Sequence, residues 1–163
     1  MRKALAIINH KDSASLDFPL QIPFVEAMGF ELLRMQGGEA EIALNLRPDQ
    51  HNSLNMAHGG VTMTLLDVAM AHAARSADAP ADTAANAPGR GVVTIEMKTS
   101  FMRPATGRLT ARARVLTRTI ALAFCEASLF DEAGALVAHA TGSFKYLTRG
   151  AGEGRRVRGV GGD

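Results

Sequence analysis

Cysteine is nearly absent from this chain. Cys125 is the only one in 163 residues, which excludes an internal disulfide and a cysteine zinc cluster. No group of His, Asp and Glu stands at metal-ligand spacing, and no Gly-X-Gly run is built to cradle phosphate. Charge of one sign is also lacking. The formal net charge is +2, too slight to point to nucleic acid. The pI near 9.0 owes part of its value to Arg149, Arg155, Arg156 and Arg158, which crowd one stretch. No apolar run reaches the ~18 residues of a membrane span without a polar break. "MRKALAIINH" opens like a secretory signal, but Ala4 to Ile8 is too short for its apolar region. No small-residue cleavage site precedes Lys11 and Asp12. The expectation is a cytoplasmic protein with no membrane and no nucleic-acid partner, and the chain has no internal repeat.

What is present is an ordinary globular composition, 47% hydrophobic and 21% charged, at close to the commonest single-domain length. Such a chain buries a core without staples. Residues 1–148 read as one domain and 149–163 as a disordered basic Gly/Arg-rich tail. The first twenty residues read as a short helix plus a connection. "IPFVEAMGF" (22–30) spaces Phe24, Val25 and Met28 as a helix that Gly29 stops. "FELLRMQ" (30–36) and "EAEIALNLR" (39–47) form a hairpin across Gly37-Gly38, with Ile42, Leu44 and Leu46 alternating against Glu41, Asn45 and Arg47.

Residues 61–75 form a helix, apolar nearly all round and therefore a core helix. A loop at 76–91 is long enough to suggest a function of its own. Strands follow at 92–102, 107–118, 120–132 and 135–148. In the first of them Val93, Ile95, Met97 and Phe101 group on one face, against Thr94, Glu96 and Lys98. Cys125, in the apolar "ALAFCEASLF", reads as an inert buried thiol. A sheet with an apolar face needs a cover, and 61–75 is the one available. The fold class is α+β, an antiparallel sheet curled round one long central helix.

The chemistry concentrates in "HNSLNMAHGGVTMTLLDVAMAHAAR" (51–75), where an almost uncharged run keeps one carboxylate, Asp67. Met63 and Met70 lie one turn away on either side, so the carboxylate sits on an interior or interface surface. Burial raises its pKa by penalising the charged form, which suits a general base for water. A structural aspartate bonded to backbone or threonine is the bland reading. His58-Gly59-Gly60 opens the helix, where unpaired N–H groups and a partial positive charge gather. Glycines let a carbonyl approach closely, an oxyanion-hole geometry; the bland reading is a tight turn. Asn52, in the polar "PDQHNS", is by itself a turn former, and His51 reads as a surface histidine.

The element order resembles the hotdog fold, and the residues resemble the PaaI-like acyl-CoA thioesterase family over roughly 24–148. The sharpest match is Asn52, then His58-Gly59-Gly60, then Asp67 nine residues after the histidine. "VTIEMKTSFMRPA" and "VAHATGSFKYL" support it. The resemblance implies hydrolysis of an acyl- or aryl-acyl-CoA to free acid and CoA, with no metal and no cofactor, since CoA is part of the substrate. It implies Asp67 as general base or as nucleophile, and an oxyanion hole from Asn52 and the Gly59 N–H. Gly60 takes part in substrate binding, His58 donates to the thioester or holds the loop, and Thr94 orients the water. It further implies a homodimer, paired into a homotetramer, with active sites at the dimer interface. Arg90, Lys98, Arg103 and Arg108 are candidates for a basic rim facing CoA phosphates. Two other readings stay open: a hotdog dehydratase or hydratase, whose histidine and acid motif is not found, and a non-catalytic acyl-CoA-binding module, against which Asp67 argues.

Overall fold

The structure, a computed structural model, describes residues 15–80, 83 and 87–148. The proposed tail and the first fourteen residues lie outside them. A helix α1 (Pro23–Met28) is followed by strands β1 (Phe30–Gln36) and β2 (Glu39–Asn45). The long helix α2 runs Gly59–Ala77. Four strands complete the chain: β3 (Val92–Phe101), β4 (Arg108–Arg118), β5 (Leu122–Phe130) and β6 (Leu136–Tyr146).

Local chemistry sets these limits. Pro23 begins α1 and Gly29 ends it at φ 73°, a left-handed position that favours glycine. Gly37 and Gly38, at φ 60° and 87°, make the tight β1–β2 turn whose twist matches the strands. The helix expected at 61–75 is longer at both ends. His58 caps it, its Nδ1 accepting from the Gly60 N–H at 3.0 Å, which admits the two glycines into the first turn. β2 stops at Asn45 rather than Arg47. Among residues 15–20 Leu16 forms an isolated antiparallel bridge to Leu32; the short helix expected within the first twenty residues falls largely on 1–14, outside the described residues.

All six strands pair antiparallel in the order β1-β2-β4-β5-β6-β3. The chain leaves β2, crosses through α2 to the far edge, and returns to pair β4 with β2. Bulges at Leu33, Ile95 and Leu116 interrupt the ladders and bend the sheet. The bent sheet wraps one face of α2. Leu65, Leu66, Ala69, Met70, Ala73 and Ala74 of the helix are buried with Leu32, Ile42, Leu44, Leu109, Leu129 and Phe144 of the strands. Cys125 is buried among them, and burial pushes its thiol up to about 12, as the inert-thiol reading requires.

One face assignment is corrected. Period-2 alternation put Thr94 with Glu96 and Lys98. The bulge at Ile95 shifts the phase, so that Thr94 pairs with buried Phe144 and Met97 pairs with Gly142. Thr94 and Met97 therefore share the helix side, while Val93 and Ile95 are exposed. α2 is also not apolar all round, because its second stripe faces an open cleft.

Candidate active site

Gly60, Thr64, Asp67, Val68, Ala71, His72 and Arg75 recur at three- and four-residue spacing, which places them on one stripe of α2. That stripe floors a cleft of about 740 Å³. Leu20, Ile22 and Phe24 rim one side, and Val92, Thr94 and Met97 of β3 form the other. The opposite stripe of α2 is core, so one helix both holds the sheet and supplies the cleft.

Asp67 and Thr94 meet inside this cleft. The Thr94 hydroxyl donates to Asp67 Oδ1 at 2.9 Å. Burial raises the carboxyl above its ordinary range, and the Thr94 bond opposes that by favouring the charged form. The pair is twenty-seven residues apart in sequence, and the Ile95 bulge is what turns Thr94 toward the helix.

The start of α2 is arranged differently. Gly60 lines the cleft. The His58 ring accepts from the Gly60 N–H, so its Nδ1 is held as an acceptor and its role in the structure is that of a cap. The Gly59 N–H makes no hydrogen bond to another residue among those described, and a methyl group built at Gly59 would rest 3.7 Å from the Phe101 ring. Asn52 Oδ1 accepts from the Leu54 and Met56 N–H groups at 2.9 and 3.3 Å. This shapes the loop and leaves the amide hydrogens to donate. Asn52, His58 and Gly59 are not among the residues lining the Asp67 cleft. A single chain therefore lines the cleft with Gly60, Asp67 and Thr94, while Asn52, His58 and Gly59 do not line it, although the last two lie next to Gly60.

Three of the four basic-rim candidates are already engaged. Arg90 grips Asp78 through Nε and Nη2 at 2.9 and 2.8 Å, Arg108 pairs with Glu31 at 2.7 Å, and Arg103 donates to the Leu136 carbonyl. His72 and Arg75 were not singled out from sequence, and both line the cleft. Their spacing from Asp67, five and eight residues, was the signal available. Among the described residues no cluster of three or more His, Cys, Asp or Glu could hold a metal ion, and no helix is long and apolar enough to cross a membrane.

Residues 54–138, just over half of the chain, match the family model of the thioesterase superfamily. The match contains every candidate except Asn52. No curated protein sequence matches the chain. Solved structures do. A conserved protein from Pseudomonas aeruginosa superposes with a TM-score of 0.70 at 27% identity, covering 79% of this chain and 97% of its own. A mutant of the phenylacetic acid degradation protein PaaI from Thermus thermophilus does so at 0.66 and 29%, covering 77% and 100%. The E. coli PaaI protein from the phenylacetic acid degradation operon, at 22% identity with a TM-score of 0.67 over 77% and 84%, shares the fold. With a six-stranded antiparallel sheet wrapped round one long helix and this match across its motif, the chain is a hotdog-fold protein and belongs to the thioesterase superfamily.

Proposed function

We propose that this protein hydrolyses acyl-CoA thioesters, converting an acyl- or aryl-acyl-CoA to free acid and CoA. The observation that carries this reading is the Asp67–Thr94 pair at 2.9 Å, set in a cleft that begins at Gly60 in the first turn of α2. With Oδ1 held by Thr94, Oδ2 remains to take a proton from water. A carboxyl raised by burial is a better base than an exposed one. The hydroxide so formed adds to the thioester carbonyl carbon, the carbon–sulfur bond breaks, and the CoA thiolate leaves. The Gly59 N–H and the Asn52 amide stabilise the oxyanion. CoA enters as substrate, and no metal or separate cofactor takes part.

The two halves of this constellation come from two chains. β3 is an edge strand, and Val93, Ile95 and Phe101 stand exposed on it, Ile95 at 55%. An apolar edge of this kind invites strand pairing. Asp67 lies eight residues beyond Gly59, about 12 Å along the helix axis. Antiparallel pairing with a second copy would carry the start of one α2 toward the Asp67 of the other, so a homodimer completes the site. Two dimers then pair into a tetramer.

The test is thiol release over a panel of aromatic, short and long acyl-CoAs, for wild type and Asp67→Asn, beside calorimetry with a non-hydrolysable thioether. Asp67→Asn should lose at least the ~100-fold typical of one general base while still binding the thioether. Unchanged turnover would remove the mechanism. Tight binding with no turnover in the wild type would favour the binding-module reading. A monomer that still hydrolyses thioesters would remove the two-chain site.

A further inference from the structure

The cleft ends in two polar side chains that the hydrolysis does not use. Arg75 lies on the Asp67 stripe of α2, eight residues on and about 12 Å along the axis. It is only 7% exposed, its Nε has no hydrogen-bond partner among the described residues, and burial alone pulls the guanidinium down. His72, one turn earlier, is 2% exposed. Its Nδ1 donates to the Val68 carbonyl at 2.7 Å, and its Nε2 is buried without a partner among the described residues. Among the described residues the other arginines have a carboxylate partner, except Arg103, which is exposed and donates to the Leu136 carbonyl. Arg90 and Arg118 share Asp78, Arg108 has Glu31, Arg112 has Glu41 and Arg114 has Glu126. A buried cation without an anion is costly, and so is a buried nitrogen without a partner. Among the described residues both occur at one end of an open cleft that also holds Asp67 and Thr94.

We propose that Arg75 and His72 anchor a carboxylate at the far end of the acyl group, so that the preferred substrates are CoA monothioesters of dicarboxylic acids. This rests on the thioesterase reading of the same cleft. A guanidinium edge matches the two oxygens of a carboxylate. The oxygen that reaches His72 shares with Nε2 one proton taken up from solvent on binding, because the Nδ1 hydrogen is already committed to the Val68 carbonyl. Val68, Ala71 and Met97 wall the cleft and take the methylenes between the two ends. An anionic oxygen could also come from a phosphate of CoA, and the experiment separates the two sources.

The experiment uses the full chain and two thioesters of equal length, hexanoyl-CoA and adipoyl-CoA, with the matching non-hydrolysable thioethers and CoA alone. Wild type should favour the carboxylate-ended member of each pair by roughly tenfold or more, in kcat/KM and in calorimetric Kd. Arg75→Met should bring both ratios to about one, and Arg75→Lys should restore part of the preference, since it keeps the charge and loses the planar fork. Equal binding of the two thioethers by wild type overturns the proposal. So does an Arg75→Met loss shared by both thioethers and CoA alone, which would put a CoA phosphate on Arg75. If Arg75→Met does not fold, the wild-type thioether ratio decides. Selective binding without thiol release keeps the anchor and overturns the hydrolase reading; thiol release without selectivity does the reverse.

Discussion

Replacing Thr94 with Val removes one hydroxyl at nearly constant volume, and the structure says what should follow. Two influences act on the Asp67 carboxyl: burial, the larger, raises its pKa, and the Thr94 hydrogen bond lowers it. Without the bond, burial acts unopposed and the pKa climbs. A hydrogen bond to a charged acceptor contributes about 1.5–3 kcal/mol. Asp67 is half-buried, so the lower end applies, and removing the bond withdraws about that much stabilisation from the charged carboxylate. A base works only when deprotonated. The acid limb of kcat/KM should therefore move to higher pH in Thr94→Val, and the plateau should fall as the water loses its orienting partner. Thr94→Ser, which keeps a hydroxyl, should return the limb to its place. The assay is thiol release across the acid and neutral range, with circular dichroism to show an intact fold. A limb that stays put in a folded Thr94→Val protein would refute the reasoning, because either the bond or the role of Asp67 as base would be wrong.

Asp67→Asn should melt at or above the wild-type temperature by calorimetry at neutral pH. The folded carboxyl has a raised pKa, so native stability falls as pH rises through the interval above the ordinary aspartate value, and an amide escapes that penalty. His58→Ala removes the acceptor for the Gly60 N–H and should cost about 1 kcal/mol in urea unfolding. Hydrogen bonds from Arg90 hold Asp78 down at about 2. The stabilisation this gives is present above the unfolded value near 3.8 and is lost as pH falls toward 2. Asp78→Asn should therefore cost roughly 1–2 kcal/mol at neutral pH, and its unfolding curve should converge with wild type in acid. Cys125, buried and with its pKa pushed up to about 12, should ignore a thiol reagent until denaturant opens the fold.

The strands and the helix were legible because alternation and glycine punctuation are local. Gly29, Gly37 and Gly38 sit where the backbone needs a left-handed turn, and Leu109, Ala111 and Ala113 point to the core as the alternation of β4 requires. Thr94 was named by resemblance but put on the wrong face, because a bulge is one unpaired residue and leaves no mark on the side-chain pattern. Arg75 escaped notice for another reason. A basic residue in the last turn of a helix ordinarily complements the helix dipole, and only tertiary packing reveals that this one is buried with no counter-charge among the described residues. Asn52 and Gly59 stand at offsets the sequence displays, yet the single chain does not bring them to Asp67. On the two-chain site proposed above, their relation to it is set by how copies assemble.

The division of α2 into a packed stripe and a cleft stripe bears on how this protein can change over generations. Leu65, Ala69 and Ala73 are fully enclosed, and substitution there disturbs the whole sheet. Thr64, Val68 and Ala71 border open space on the other side, where a larger or smaller side chain alters the bore of the cleft without creating a void in the interior. On the proposed function, selectivity for the acyl group is thus written on positions that stability scarcely reads. The helix also serves as a ruler, since each turn sets the next such position about 5.4 Å further from Asp67. A lineage can try new chain lengths one position at a time while the scaffold stays as it is.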